Sequence, residues 1–304
     1  MTVSGILNVD KPLGQTSFDV VRRVRRGTGE QKVGHAGTLD PAATGVLLVC
    51  LGQAVRVSEY LMDLAKVYRA AIRLGVSTDT YDSEGQTVAT GAADTVSLEA
   101  LRQVLEGFVG AIQQVPPAYS AVKVAGQPAY KLARKGEAPA LQARRVEVYR
   151  LDLLDFRASV VELEIQCGKG TYIRSIAHDI GQELGCGAYL ESLVRTRVGP
   201  FTLESAVNGQ GLEQALGDGS WRTLLLPVDY GLVGLPAVTL HVEDEKDVRH
   251  GQAVQLGEAE AAALGQAAPG TQVRAYTEDG SLVGILSYDA KLRSWRPRKV
   301  FPTS

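Results

Sequence analysis

Apolar residues recur along the chain with two periods, and each period predicts an element. Residues 5–9 read as a strand that runs into Asp10-Lys11-Pro12-Leu13-Gly14, a turn built from proline and glycine. Val20, Val21 and Val24 then fall at helical spacing, with Arg22, Arg23, Arg25 and Arg26 on the other side. Thr16 or Ser17 can cap this helix, and Gly27 and Gly29 end it. Val46-Leu47-Leu48-Val49-Cys50-Leu51 is an unbroken apolar run, the mark of a strand buried on both faces. Residues 66–74 alternate as a strand, 77–86 form a polar connection, and 97–108 form an amphipathic helix. Residues 146–154 and 160–167 predict neighbouring antiparallel strands. A helix over 171–184 follows, with Ile173, Ile176, Ala177, Ile180 and Leu184 along one side and Gly185 at its end.

Two stretches break this rhythm. Residues 113–136 carry Pro116-Pro117, Gly126 and Pro128 among basic and aromatic side chains, a composition expected of an exposed, mobile insertion. Residues 208–218 are rich in glycine and polar groups, yet 221–226 continue apolar, so a domain boundary is expected near 231–236. Beyond it, short strands at 238–240, 273–276 and 282–286 separated by glycine turns predict a small β-barrel or sheet.

With 304 residues, 45% hydrophobic and 22% charged, the chain can bury one large core and a smaller second one. No apolar stretch approaches the roughly 18 residues of a membrane span. The N-terminus lacks a basic region followed by an apolar run, so a cytoplasmic protein is expected. Cys50, Cys167 and Cys186 form no Cys-x-x-Cys pair, and with four histidines they make no metal cluster. The net charge of −2 argues mildly against an anionic polymer as partner. Its distribution argues the other way: residues 11–35 hold six basic against two acidic side chains, and residues 123–150 seven against two.

The candidate chemistry sits in Gly34-His35-Ala36-Gly37-Thr38-Leu39-Asp40-Pro41. Asp40 precedes proline, which keeps it out of helical dihedrals. The glycines allow a ligand close to the backbone, and the loop feeds directly into the buried run at 46–51. Taken alone, an Asp-Pro turn is ordinarily structural, with the carboxylate capping amides. Likewise Tyr68 would be a core aromatic and Arg174 a surface cation. His178 and Asp179 are adjacent on a helix, point to different faces and are read as structural.

The loop, continued by Ala43-Thr44-Gly45, resembles the signature of the TruB-type tRNA pseudouridine synthases. Further segments resemble the same family in its order: residues 5–14, Lys66-Val67-Tyr68-Arg69, residues 114–123, residues 167–175, and Leu193-Val194-Arg195-Thr196-Arg197-Val198-Gly199. The resemblance implies an α+β fold, a mixed, largely antiparallel sheet flanked by helices over residues 1–232. It implies a PUA-like barrel over 236–304 that binds RNA, with Lys291, Arg293, Arg296, Arg298 and Lys299 as candidate phosphate contacts. It makes Asp40 the nucleophile, Tyr68 the aromatic beside the target uracil and Arg174 the partner of Asp40, with His35, Tyr172, Leu193 and Lys11 binding substrate. The implied partner is tRNA, met at its T-loop and stem by a monomer that needs no cofactor and no metal. Whether Asp40 attacks the anomeric carbon or removes a neighbouring sugar proton stays open at this stage. Two other readings are a tRNA-binding folding assistant and a glycoside hydrolase; the latter ordinarily pairs two carboxylates, and the motifs offer one.

Overall fold

The computed structural model describes residues 3–120, 122–124, 126–137 and 140–302. Ala121 and Ala125 of the expected insertion and both chain ends lie outside the described residues. The strand β1 (Gly5–Lys11) leads into helix α1 (Ser17–Thr28), then β2 (Val33–His35), β3 (Ala43–Leu51), α2 (Ser58–Asp63) and β4 (Lys66–Leu74). A hairpin of β5 (Val76–Thr78) and β6 (Thr87–Thr90) follows, then α3 (Leu98–Glu106) and β7 (Gly110–Gln114). The insertion holds the short strands β8 (Lys123–Val124) and β9 (Gln127–Pro128) and helix α4 (Ala129–Ala133). Then come β10 (Arg144–Arg157), β11 (Val160–Cys167), α5 (Ile173–Glu183), β12 (Ala188–Val198), β13 (Phe201–Thr202) and α6 (Gly209–Asp218).

These strands build one nine-stranded mixed sheet in the order β1-β3-β12-β4-β11-β10-β7, with β2 on β3 and β13 on β12. All its pairings are antiparallel except β3 with β12, which sets Leu193 opposite Ala43 and Arg195 opposite Gly45. That parallel pair lies where two cores meet. Leu47, Val49 and Leu51 of β3 point to one face, beneath Val20, Val21 and Val24 of α1 and Leu212 of α6. Val46, Leu48 and Cys50 point to the other, against Leu61, Phe201, Ile285 and Phe301. Burying each such side chain contributes about 1.5–3 kcal/mol, so the apolar run anchors the sheet on both sides. A third cluster, around Ile72, Leu163, Ile165, Ile176 and Ile180, packs α5 and α3 onto β4, β11 and β12.

The C-terminal part forms a small sheet, one of the two forms its sequence pattern predicts. Strands β14 (Ala237–Thr239), β15 (Gln272–Tyr276), β16 (Leu282–Asp289) and β17 (Ser294–Val300) pair in chain order. Among the described residues this is a four-stranded sheet ending at β14 and β17. Helices α7 (Val242–Arg249) and α8 (Glu258–Leu264) interrupt it. The run Glu243-Asp244-Glu245 occupies the first turn of α7, where acidic side chains suit the helix dipole. Likewise residues 208–218, whose glycines obscure any periodicity, form α6 under an Asn208 cap that accepts from the Gly211 amide at 2.8 Å. No helix among the described residues is long and apolar enough to cross a membrane.

Gly45 is the residue on which the β3–β12 pairing turns. Its φ is +100°, and an added Cβ would lie 2.2 Å from the Arg195 carbonyl oxygen. Gly45→Ala is expected to lower the thermal unfolding midpoint by several degrees, since strain of this kind costs about 1–3 kcal/mol. A differential scanning calorimetry trace unchanged from wild type would contradict this.

Candidate active site

The loop between β2 and β3 is held at almost every residue. The Ala36 amide donates to the Leu48 carbonyl at 2.9 Å, which starts the excursion. Arg195, 2% exposed, spans three carbonyls: its Nε donates to Val46 at 2.7 Å, Nη2 to Gly37 at 3.1 Å and Nη1 to Thr38 at 3.4 Å. Of the two candidate caps for α1, Thr16 accepts from the Asp19 amide and closes a capping box. Ser17 is thereby free to fasten the loop: its hydroxyl donates to the Leu39 carbonyl at 3.0 Å and accepts from the Leu39 amide at 2.9 Å. The Ala43 amide donates to the Asp40 carbonyl, and the Gly14 amide to that of Pro41. Asp40 therefore enters its site on a backbone with little freedom.

Facing it is Arg174, the second residue of α5. Its side chain is only 6% exposed, although the helix pattern marked it as a surface cation. Burial of a guanidinium requires acceptors, and four converge on it. Nη2 meets Asp40 Oδ2 at 3.0 Å and the Tyr119 carbonyl at 3.0 Å. Nη1 donates to Asp82 Oδ2 at 3.2 Å and to the Thr80 carbonyl at 3.2 Å. Burial raises the Asp40 carboxyl above its ordinary value; the Arg174 charge opposes that rise and Asp82 adds to it.

A cavity of about 920 Å³ opens over this pair. Tyr68, Tyr172 and Leu193 line it together with Asp40 and Arg174, so five of the residues named from sequence converge from the loop, β4, α5 with its preceding residue, and β12. Tyr68 is buried, which raises its phenol, with the Arg195 guanidinium pulling the other way. Tyr172 is clasped by the fully buried Gln114, whose Oε1 accepts from the Tyr172 amide at 2.8 Å while its Nε2 donates to the Tyr172 carbonyl at 3.0 Å. The Arg144 guanidinium stands over the Tyr172 ring at 4.9 Å. Lys66, Arg134, Arg145 and Lys169 also line the cavity, so the basic excess of residues 123–150 is gathered partly at its rim.

Two expected substrate contacts are placed elsewhere. Lys11 has no exposed surface: its ammonium donates to the carbonyls of Pro12 at 2.9 Å, Gln15 at 2.7 Å and Pro41 at 3.4 Å. Burial pushes it down to about 8, and it ties the turn after β1 to the loop instead of reaching the cavity. His35 is half-buried in β2, opposite Val49, and does not line the cavity. Burial and Arg195 lower its pKa, so its ring is neutral near pH 7. The insertion is also less exposed than its composition predicts, since Gln114, Ser120 and Ala129 are buried.

Asp82 was not among the residues singled out from sequence. It lies in the polar connection at 77–86, where nothing local distinguishes it from Asp79. Its side chain is 9% exposed and faces Arg174; its Oδ1 accepts from Thr80 Oγ1 at 2.5 Å and the Glu84 amide at 3.1 Å. A second carboxylate thus lines the cavity, but its oxygens are spent on the Arg174 guanidinium, Thr80 and the Glu84 amide, where a glycoside hydrolase needs a carboxyl free to act as acid. Among the described residues, no group of three or more His, Cys, Asp and Glu side chains is placed to hold a metal.

Comparison with known proteins identifies the family. Residues 25–173 match the family model for the TruB family pseudouridylate synthase N-terminal domain, and residues 174–233 that for the tRNA pseudouridylate synthase B C-terminal domain. A tRNA pseudouridine synthase B from Dehalococcoides mccartyi is 42% identical over 98% of this chain and 97% of its own length. One from Pseudomonas paraeruginosa is 44% identical over 85% of this chain and 86% of its own. Among solved structures, an H/ACA RNP bound to a substrate RNA containing 2′-deoxyuridine holds a chain that superposes with a TM-score of 0.73 at 26% identity. The match covers 98% of this chain and 85% of that one. A Cbf5-Nop10-Gar1 complex gives 0.72 at 28% identity, over 99% of this chain and 84% of that one. With the two family models meeting end to end and the relatives aligned across nearly the whole length, the chain belongs to the TruB family of pseudouridylate synthases.

Proposed function

We propose that this chain isomerises the T-loop uridine of tRNA to pseudouridine, with Asp40 as the nucleophile. The observation that carries the reading is the Asp40 carboxyl paired at 3.0 Å with a buried Arg174 in a cavity walled by Tyr68, Tyr172 and Leu193. A uridine in a folded loop hides its glycosidic bond, so it must be extruded, and a pocket with aromatic faces offers a stacking surface in exchange. Base and sugar then need only be rejoined differently. The N1 to C1′ bond breaks, the uracil turns, the C5 to C1′ bond forms, the C5 proton passes to water and N1 takes up a proton from water. Product and substrate contain the same atoms, so the reaction draws on no oxidant, reductant or group donor.

Asp40 attacks C1′ or takes a proton from C2′; both require it ionised, which Arg174 favours. Tyr68 enters as a neutral phenol, because burial disfavours its anion, and serves as the ring against which the uracil packs. His35 assists extrusion from the edge of the loop. The basic rim holds the phosphates of the T-stem and loop, and the insertion at 113–136 takes part in binding the RNA. The unit beyond residue 236 is a PUA-like RNA-binding domain joined to a catalytic domain ending near 232. Its Lys291, Arg296 and Arg298 border a concavity of about 620 Å³ with Tyr288 and Pro297, suited to a sugar-phosphate backbone. The protein works as a cytoplasmic monomer.

The direct test measures tritium released to water from tRNA transcript labelled at uracil C5. Wild type is expected to release it and Asp40→Asn to fall by at least about a thousandfold, the scale of a lost nucleophile. Equal release from both would remove Asp40 from the mechanism. No release by wild type despite tight tRNA binding would favour the folding-assistant reading.

The raised carboxyl sets the acid side of the pH profile. Activity needs the carboxylate and is lost as pH falls through the Asp40 pKa, so the acid limb of kcat/KM is expected above the ordinary aspartate value of about 4. Arg174→Met removes the opposing charge and is expected to move that limb further up while lowering the plateau; an unmoved limb would separate Arg174 from Asp40 ionisation.

A further inference from the structure

Tyr81 and His178 form a stacked pair that the isomerisation does not use directly. Neither lines the cavity, yet their ring centroids are 3.8 Å apart with planes 11° from parallel. Tyr81 is one of few residues other than glycine with positive φ, at 64°, a conformation that costs a side-chain-bearing residue energy. Something must hold it there. Its carbonyl accepts from the Leu190 amide at 2.9 Å, which ties the turn to β12, and its ring lies on His178. The two residues flanking Tyr81 are those that grip Arg174 Nη1, through the Thr80 carbonyl and the Asp82 carboxylate. His178 stands four positions after Arg174, one turn along the same face of α5.

We propose that the Tyr81–His178 stack is a clasp that seats the Thr80–Asp82 turn on helix α5, so that Asp82 holds Arg174 in line with Asp40. Both are positioning residues, and the inference rests on the reaction proposed above. The clasp explains why a strained tyrosine occupies the centre of this turn: glycine would fit the backbone but would leave the turn without its grip on the helix. It also accounts for His178, whose place beside Asp179 invites a proton-transfer role. The contact His178 makes is face to face, and burial lowers its pKa, which keeps the ring uncharged for stacking.

The test is single-turnover tritium release with enzyme in excess, alongside filter binding of the same tRNA. His178→Ala is expected to slow release about ten- to a hundredfold, as a small misplacement of a catalytic pair does, while tRNA affinity changes less than about twofold. His178→Phe, which restores a flat ring without nitrogens, is expected to recover most of the rate. Tyr81→Gly supplies the residue best suited to the positive φ and so preserves the fold; it is expected to lose rate like His178→Ala, whereas Tyr81→Phe keeps it. Wild-type rates in His178→Ala or Tyr81→Gly would overturn the clasp, as would His178→Phe remaining as slow as His178→Ala. These outcomes are read with Asp40→Asn in parallel. If wild type itself releases no tritium, the proposed reaction fails; if wild type and Asp40→Asn differ as expected but the clasp variants match wild type, only the clasp fails.

Discussion

The burial of one guanidinium organises this site. Arg174 lies where α5 meets the sheet, shielded from water, and a charge there is tolerable only with acceptors at its terminal nitrogens. Asp40, Asp82 and the carbonyls of Thr80 and Tyr119 supply them from three separate segments. Removing one partner from such a buried pair typically costs about 3–5 kcal/mol, so the catalytic loop, the polar connection after β5 and the base of the insertion are bound to one another through a single side chain. The interaction that aims the nucleophile also fixes its surroundings.

A second arginine prepares the other half of the arrangement. Arg195 is buried in β12 beside the parallel pairing with β3, and donates to the backbone of the loop that carries Asp40. Gly45 lets the two strands approach closely enough for this, and Lys11 supports the same loop from below. The result is a carboxylate positioned by backbone hydrogen bonds on one side and a charge pair on the other. Its microenvironment sets opposing effects against each other: burial disfavours ionisation, and Arg174 works against that rise. A carboxylate nucleophile needs that opposition, because only its charged form attacks.

The overall charge of −2 is uninformative about the partner, since the cations are not spread evenly. Lys66, Arg134, Arg144, Arg145 and Lys169 collect at the cavity, while acidic residues such as those opening α7 lie in another part of the chain. Local asymmetry of this kind steers a polyanion more effectively than net charge does.

The amino-acid sequence by itself determined whatever depends on neighbours along the chain. The apolar run at 46–51, the alternation of 66–74 and the 3.6-residue stripe of α5 each predicted their element, because burial imposes a period on local sequence. The contiguous motifs also carried Asp40, Tyr68 and Arg174 as a set. Only the tertiary structure decided what depends on residues far apart. Asp82 is 92 positions from Arg174, and no pattern in its polar loop distinguishes it from Asp79. Lys11, which the resemblance implies as a substrate contact, is instead closed in by three carbonyls. Helix α6, its stripe diluted by glycines, and helices α7 and α8 escaped the period for a related reason: their stability comes from packing onto strands, which sequence spacing does not record. The same holds for Tyr81, since a positive φ in a tyrosine is sustained by contacts with His178 and Leu190 and leaves no mark on the residues beside it.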